Sequence, residues 1–131
     1  MSDPNNINLS LMKGKKGVIM GVANDHSIAW GIAQSLSAAG AELAFSYQSE
    51  TLKKRVEPLA KMLGSDLIYP CDVESSEDIE IFFNSIQNKW ESIDFLVHAI
   101  AFSDKSELKG PYYNTTKENF IKTMLVSCFS F

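Results

Sequence analysis

Cysteine is scarce in this chain of 131 residues, with Cys71 and Cys128 the only two. They lack metal-ligand spacing and cannot form a disulfide framework, which argues against a metal site or a stapled secreted scaffold and for a reducing, cytoplasmic setting. Basic residues are outnumbered, 12 Lys and Arg against 16 Asp and Glu, for a net charge of −4. Attachment to nucleic acid or to an anionic membrane surface needs the opposite balance, so neither is expected as a partner. No apolar run approaches the roughly 18 residues that span a bilayer, and the first ten residues are polar and Asn-rich, without the apolar core of a signal peptide. What is present, 45% apolar and 21% charged residues, is ordinary for one small globular domain.

The organising stretch runs from Gly17 to Ala33, GVIMGVANDHSIAWGIA. It reads as a short strand, Val18 to Met20, entering a loop at Gly21 that opens a helix near Ser27. Such a junction suits a phosphate. Glycine allows close backbone approach at Gly21, and the unpaired amides of the helix start face an incoming anion, with the Ser27 hydroxyl as a further donor. Gly31 is expected to let the helix pack tightly on the strand, as the third glycine of a dinucleotide fingerprint does. The generic G-x-G-x-x-G is not met, because Ala23 and His26 stand where it needs glycines.

Downstream the chain alternates strand and helix. The first helix is expected over about Ile28 to Ala39 with Ile28, Ile32 and Leu36 on its apolar face, stopped by Gly40. A strand over Glu42 to Tyr47 and a helix over Thr51 to Leu63 follow, with a kink or break expected at Pro58. The third strand, Leu67 to Tyr69, delivers Cys71, Asp72 and Val73. Ser75 and Ser76 then open a helix whose apolar face carries Ile79, Phe82, Phe83 and Ile86 toward Trp90. The fourth strand, Ile93 to His98, is nearly all apolar, as for a central strand covered on both faces. A polar segment, Ser103 to Asn114, leads to a last helix starting at Thr115 or Thr116, with Thr115 and Glu118 at capping-box spacing.

Four rounds of strand and helix without a hairpin signal predict a doubly wound α/β fold, a parallel sheet with helices on both faces and right-handed crossovers. Ligands in such sheets sit beyond the carboxyl ends of the strands. Here those ends offer Gly21, Gln48, Asp72 with Val73, and Ala99 to Ser103.

The strings GVANDHSIAWGIA, GAELAFSYQ (Gly40 to Gln48), CDV (Cys71 to Val73) and DFLVHAIAFSDKSELKG (Asp94 to Gly110) occur in one order. In this the chain resembles the bacterial NADH-dependent enoyl-acyl-carrier-protein reductases, a divergent Rossmann-type branch of the short-chain dehydrogenases/reductases. The resemblance runs from about Leu11 to Phe131. It implies a dinucleotide site with Gly21, Ser27 and Ile28 at the phosphates, Gln48 at the adenosine ribose, and Asp72 and Val73 around the adenine. It also implies Ile100 beside the nicotinamide half and Ser103 at the substrate position. Gln48 stands where the generic fold often carries an acid, and its amide both donates and accepts without repelling phosphate. NADH is expected over NADPH, although Lys53, Lys54 and Arg55 follow Gln48 closely enough to reach a 2′-phosphate.

Other chemistry-bearing residues are read as structural. His98, at the end of the fourth strand, is expected to be a packed histidine, and His26 to be exposed. Tyr113 and Lys117 have the Y-x-x-x-K spacing of many short-chain dehydrogenases, but the superfamily pair follows a later strand. The resemblance implies hydride transfer to the β-carbon of a trans-2-enoyl thioester on acyl carrier protein, with protonation of the resulting enolate at the α-carbon. The family's Tyr and Lys, in Y-x6-K spacing, belong to a segment outside this chain, so no catalytic residue is assigned within it. Residues 1–12 are expected to be a tail and 13–131 the N-terminal cofactor-binding part of a single domain, with a cut after the fourth strand and its helix. The isolated chain is expected to be inactive, and the full-length protein, by family analogy, a homotetramer. Two alternatives share much of the pattern: another short-chain reductase, such as a 3-oxoacyl reductase, and a non-catalytic nucleotide-binding remnant.

Overall fold

The apolar run ending at Met20 forms strand β1, Lys16–Met20, in which Val18 and Ile19 are fully buried. The computed structural model describes residues 10–131, so the tail expected over 1–12 lies mostly outside the described residues. Helix α1 spans Ile28–Ala38, strand β2 Glu42–Tyr47 and helix α2 Glu50–Met62. Strand β3 (Ile68–Pro70), helix α3 (Ser76–Gln87) and strand β4 (Phe95–His98) follow. After two short 3-10 turns, Lys105–Leu108 and Tyr112–Asn114, helix α4 covers Lys117–Met124 and runs into a π-helical turn, Leu125–Phe129. The chain divides into two compact units after Ala99.

In the first unit the four strands are all parallel, in the order β3-β2-β1-β4. Side chains alternate across a strand, so the register assigns each face. Ile19, Leu43, Phe45 and Tyr47 share a core with Ala29, Trp30 and Ala33 of α1 and Val56 and Ala60 of α2. Val18, Met20, Ala44 and Ser46 point to the opposite face and are equally buried. Tyr69 pairs in register with Ser46, and its ring meets Phe82 of α3 edge-on at 6.4 Å. Helices therefore cover both faces, and the doubly wound reading holds.

Several local expectations need correction. Helix α1 buries Ala29, Trp30 and Ala33 and packs Leu36, as expected, against the same core, whereas Ile28 is 81% exposed. Gly31 does not serve close packing: a Cβ there would meet nothing within 4 Å. Helix α2 continues through Pro58 without a break. Val56 and Ala60 anchor it from either side with no exposed surface, while Pro58 faces solvent, where the carbonyl it leaves unpaired can be hydrated. Among the described residues β4 pairs with β1, and its four residues are half-buried. Pro70 is accommodated because β3 is an edge strand among the described residues and Pro70 is its last residue. His98 is half-buried, paired in register with Met20.

Candidate dinucleotide site

Strand order reverses at β1, which has β2 on one side and β4 on the other. A crevice outside the carboxyl ends of two such strands is where open α/β sheets bind ligands. Gly21 leaves β1 at this point with φ +109°, a conformation that side chains rarely adopt, and a Cβ there would overlap the carbonyl oxygen of Ala99 just past β4. The close approach required of Gly21 is thus to the neighbouring strand's exit. This contact fixes where the following loop begins.

The loop itself is organised by two side chains. Ser27 Oγ accepts hydrogen bonds from the amides of Ala23 (2.9 Å) and Asn24 (3.0 Å). Asn24 Oδ1 accepts from the His26 amide at 2.8 Å, an Asx turn that closes the loop from inside. Ser27 is also the N-cap of α1, but its side chain makes no cap hydrogen bond. Its oxygen is committed to the loop, which leaves the first-turn amides of α1 without a side-chain cap. Those amides and the positive end of the helix dipole are a donor set suited to a phosphate. Ile28, exposed on the first turn, borders that position, and His26 is exposed as expected, its imidazole lying 3.6 Å from the Asp25 carboxylate.

At the end of β2, Gln48 is exposed and directly precedes Ser49, whose side chain caps α2 through the Leu52 amide. Past β3, Asp72 and Val73 are half-buried. Asp72 Oδ1 accepts from the Glu74 amide at 3.0 Å, while its own amide donates to Asp78 Oδ2 at 3.2 Å. The carboxylate of Asp72 therefore shapes its own turn. Cys71, buried beside them, has its thiol pushed up to about 11 by burial, with the negative charges of Asp78 and Asp72 adding to the effect. It stays a neutral packing group. Tyr47 and Lys54 happen to stand in Y-x6-K spacing, but Tyr47 is a buried member of the core at the end of β2, with Lys53 Nζ 5.8 Å from its ring.

Ile100 and Ser103 belong to the second unit, and both are half-buried. Ser103 Oγ accepts from Asn119 Nδ2 at 3.2 Å, and the Asp104 amide donates to Asn119 Oδ1 at 2.9 Å. The Phe102 amide donates to Ser127 Oγ at 3.1 Å, on the π-helical turn. The N-cap of α4 is Thr116, accepting from the Asn119 amide, so the expected Thr115–Glu118 box does not form. Glu107 takes the box's role from a distance: its carboxylate accepts from Thr115 Oγ1 (2.7 Å), the Thr116 amide (2.8 Å) and Thr116 Oγ1 (2.7 Å). These bonds hold the Glu107 carboxyl below the usual carboxylate range. Tyr112 and Tyr113 are 88% and 74% exposed, and among the described residues no three His, Cys, Asp or Glu are grouped to hold a metal ion. No described helix is long and apolar enough to cross a membrane.

Sequence reasoning missed Asn24, Glu107 and Asn119. Asn24 carried a usable signal, since an Asn in a loop just before a helix cap readily closes an Asx turn on the amide two residues on, here that of His26. Glu107 and Asn119 act across 8 to 16 positions, which no local spacing rule reaches.

Residues 21–131 match the family model described as Enoyl-(Acyl carrier protein) reductase. The chain belongs to the enoyl-acyl-carrier-protein reductase family. Enoyl-[acyl-carrier-protein] reductase [NADH] 2 of Rhizobium meliloti (strain 1021) is 60% identical over 121 residues, 92% of this chain and 45% of the relative. The crystal structure of FabI from Candidatus Liberibacter asiaticus superposes with TM-score 0.92 at 61% identity, covering 93% of this chain and 47% of that one. The reductase from Anaplasma phagocytophilum, solved in complex with NAD, superposes with TM-score 0.88 at 57% identity, covering 92% of this chain and 46% of that one. The chain thus spans about half the length of the reductases it matches.

Proposed function

We propose that this chain forms the dinucleotide-binding part of an NADH-dependent enoyl-acyl-carrier-protein reductase of fatty acid synthesis, a cytoplasmic enzyme. The observation that carries this reading is the Gly21–Ser27 loop, which leaves the start of α1 without a side-chain cap at the switch point of the sheet. Its donor set fits a pyrophosphate.

On this reading Gly21, Ser27 and Ile28 hold the phosphates, Gln48 meets the adenosine ribose, Asp72 and Val73 flank the adenine, and Ile100 lies along the nicotinamide half. Ser103 serves the substrate position. A bound reduced nicotinamide supplies hydride to the β-carbon of a trans-2-enoyl thioester carried by acyl carrier protein. The residues of this chain bind and orient, and no catalytic role falls to any of them; residues 13–131 act as one cofactor-binding part of a Rossmann-type domain. The relatives named for NADH and the relative solved with NAD support NADH over NADPH. A homotetrameric assembly follows by family analogy alone.

Titrating the native protein with NADH and following nicotinamide fluorescence tests the site. Ser27→Ala frees two loop amides and is expected to weaken binding roughly 10-fold, on the order of one or two lost hydrogen bonds. Equal affinity in the variant would contradict the assignment of this loop.

A further inference from the structure

The hydrogen bonds around Asn119 have a fixed polarity. The Asp104 amide can only donate, so the oxygen it meets at 2.9 Å must be the carboxamide Oδ1, and the NH2 of Asn119 must face Ser103 and Thr115. Thr115 Oγ1 spends its one proton on Glu107 Oε2 at 2.7 Å and so accepts from Asn119 Nδ2 at 3.3 Å. The same NH2 reaches Ser103 Oγ at 3.2 Å and also donates toward the Glu107 carboxylate. Ser103 is thereby held as an acceptor. Its own proton has no acceptor among the described residues and is left for a ligand.

Glu107 anchors the far end of this relay. An ionised carboxylate accepts only, and its two further bonds from Thr116 fix it at the start of α4. The same Asn119 carboxamide also pins the backbone at Asp104. One side chain thus sets both the path of the 103–104 segment and the direction of the Ser103 hydroxyl.

We propose that Asn119 is a positioning residue that turns the Ser103 hydroxyl outward as a hydrogen-bond donor to a carbonyl oxygen of the thioester-bearing arm of the substrate. The proposal rests on the enoyl reductase reading above. It goes beyond that reading in giving Ser103 a polar contact with substrate, where small size alone would only leave room.

The test uses the enzyme at its natural length, with initial rates at varied enoyl thioester and varied NADH. Ser103→Ala is expected to raise KM for the thioester about 3- to 10-fold, the range of one neutral hydrogen bond, with KM for NADH unchanged. Asn119→Asp keeps the acceptor for the Asp104 amide and places an acid favourably in the first turn of α4, but has no N–H to give. It should raise the thioester KM by the same factor, and the double variant should be no worse than either single one. An unchanged thioester KM in either variant, multiplied effects in the double variant, or equal rises in both KM values would overturn the proposal. The Ser103 arm stands even if Asn119→Asp fails to fold. Absence of enoyl-dependent turnover in the wild type would overturn the underlying reading and the proposal with it.

Discussion

Gly21 is the residue whose identity is most tightly constrained. Its positive φ and the overlap that a Cβ would make with the Ala99 carbonyl oxygen act together, and the obstacle is backbone rather than a side chain that could swing aside. Gly21→Ala is expected to cost roughly 2 kcal/mol or more, from strained backbone plus separation of β1 from β4, and to abolish measurable NADH binding. Urea denaturation of wild type and variant would check it, and a loss under about 0.5 kcal/mol would contradict it. Cys71 makes a second prediction at this scale. Its thiol titrates near 11 in the folded state against 9.0 ordinarily, so between those values the unfolded chain has already released a proton that the folded chain still holds. Unfolding then releases a proton and stability falls as pH rises from 9 toward 11. Denaturation midpoints measured across that window should decline in wild type and decline less in Cys71→Ala.

At the scale of elements, β2 was legible from its length and from Gly40 before it, and the start of α1 from the glycine loop that precedes Ser27. Pro58 was misread because local cost was weighed without the core contacts of Val56 and Ala60 that carry the helix past it. Gly31 was misread by analogy to a fingerprint whose third glycine faces a strand, whereas this one faces open space. Of the candidate site, Gly21, Gln48 and Asp72 were legible as positions after strands, and Ser27 as the opening of a helix. The loop bonds of Ser27 were not, because they depend on where its hydroxyl points. The start of α4 belongs to this scale too. Glu107 stays ionised below the usual carboxylate range, so its bonds to Thr115 and Thr116 are complete above that range and are lost as pH falls through the lowered value. Amide exchange in the first turn of α4 should accelerate on acidification through that region, and Glu107→Gln should exchange faster at neutral pH with little further response to acid.

For the whole molecule, the order β3-β2-β1-β4 is that of the first four strands of the dinucleotide-binding α/β sheet. The order places the exits of β1 and β4 side by side, and Gly21 meets Ala99 there. Everything proposed about the chain's chemistry depends on a dinucleotide using that point of exit. The direct measurement is the loss of reduced-nicotinamide absorbance when the protein at its natural length is given NADH with a trans-2-enoyl thioester, and separately with a 3-oxoacyl thioester. The account predicts oxidation that requires the enoyl thioester, consumes one NADH per double bond reduced and disappears in Gly21→Ala. Oxidation with the 3-oxoacyl thioester alone, or NADH binding without any turnover, would contradict it.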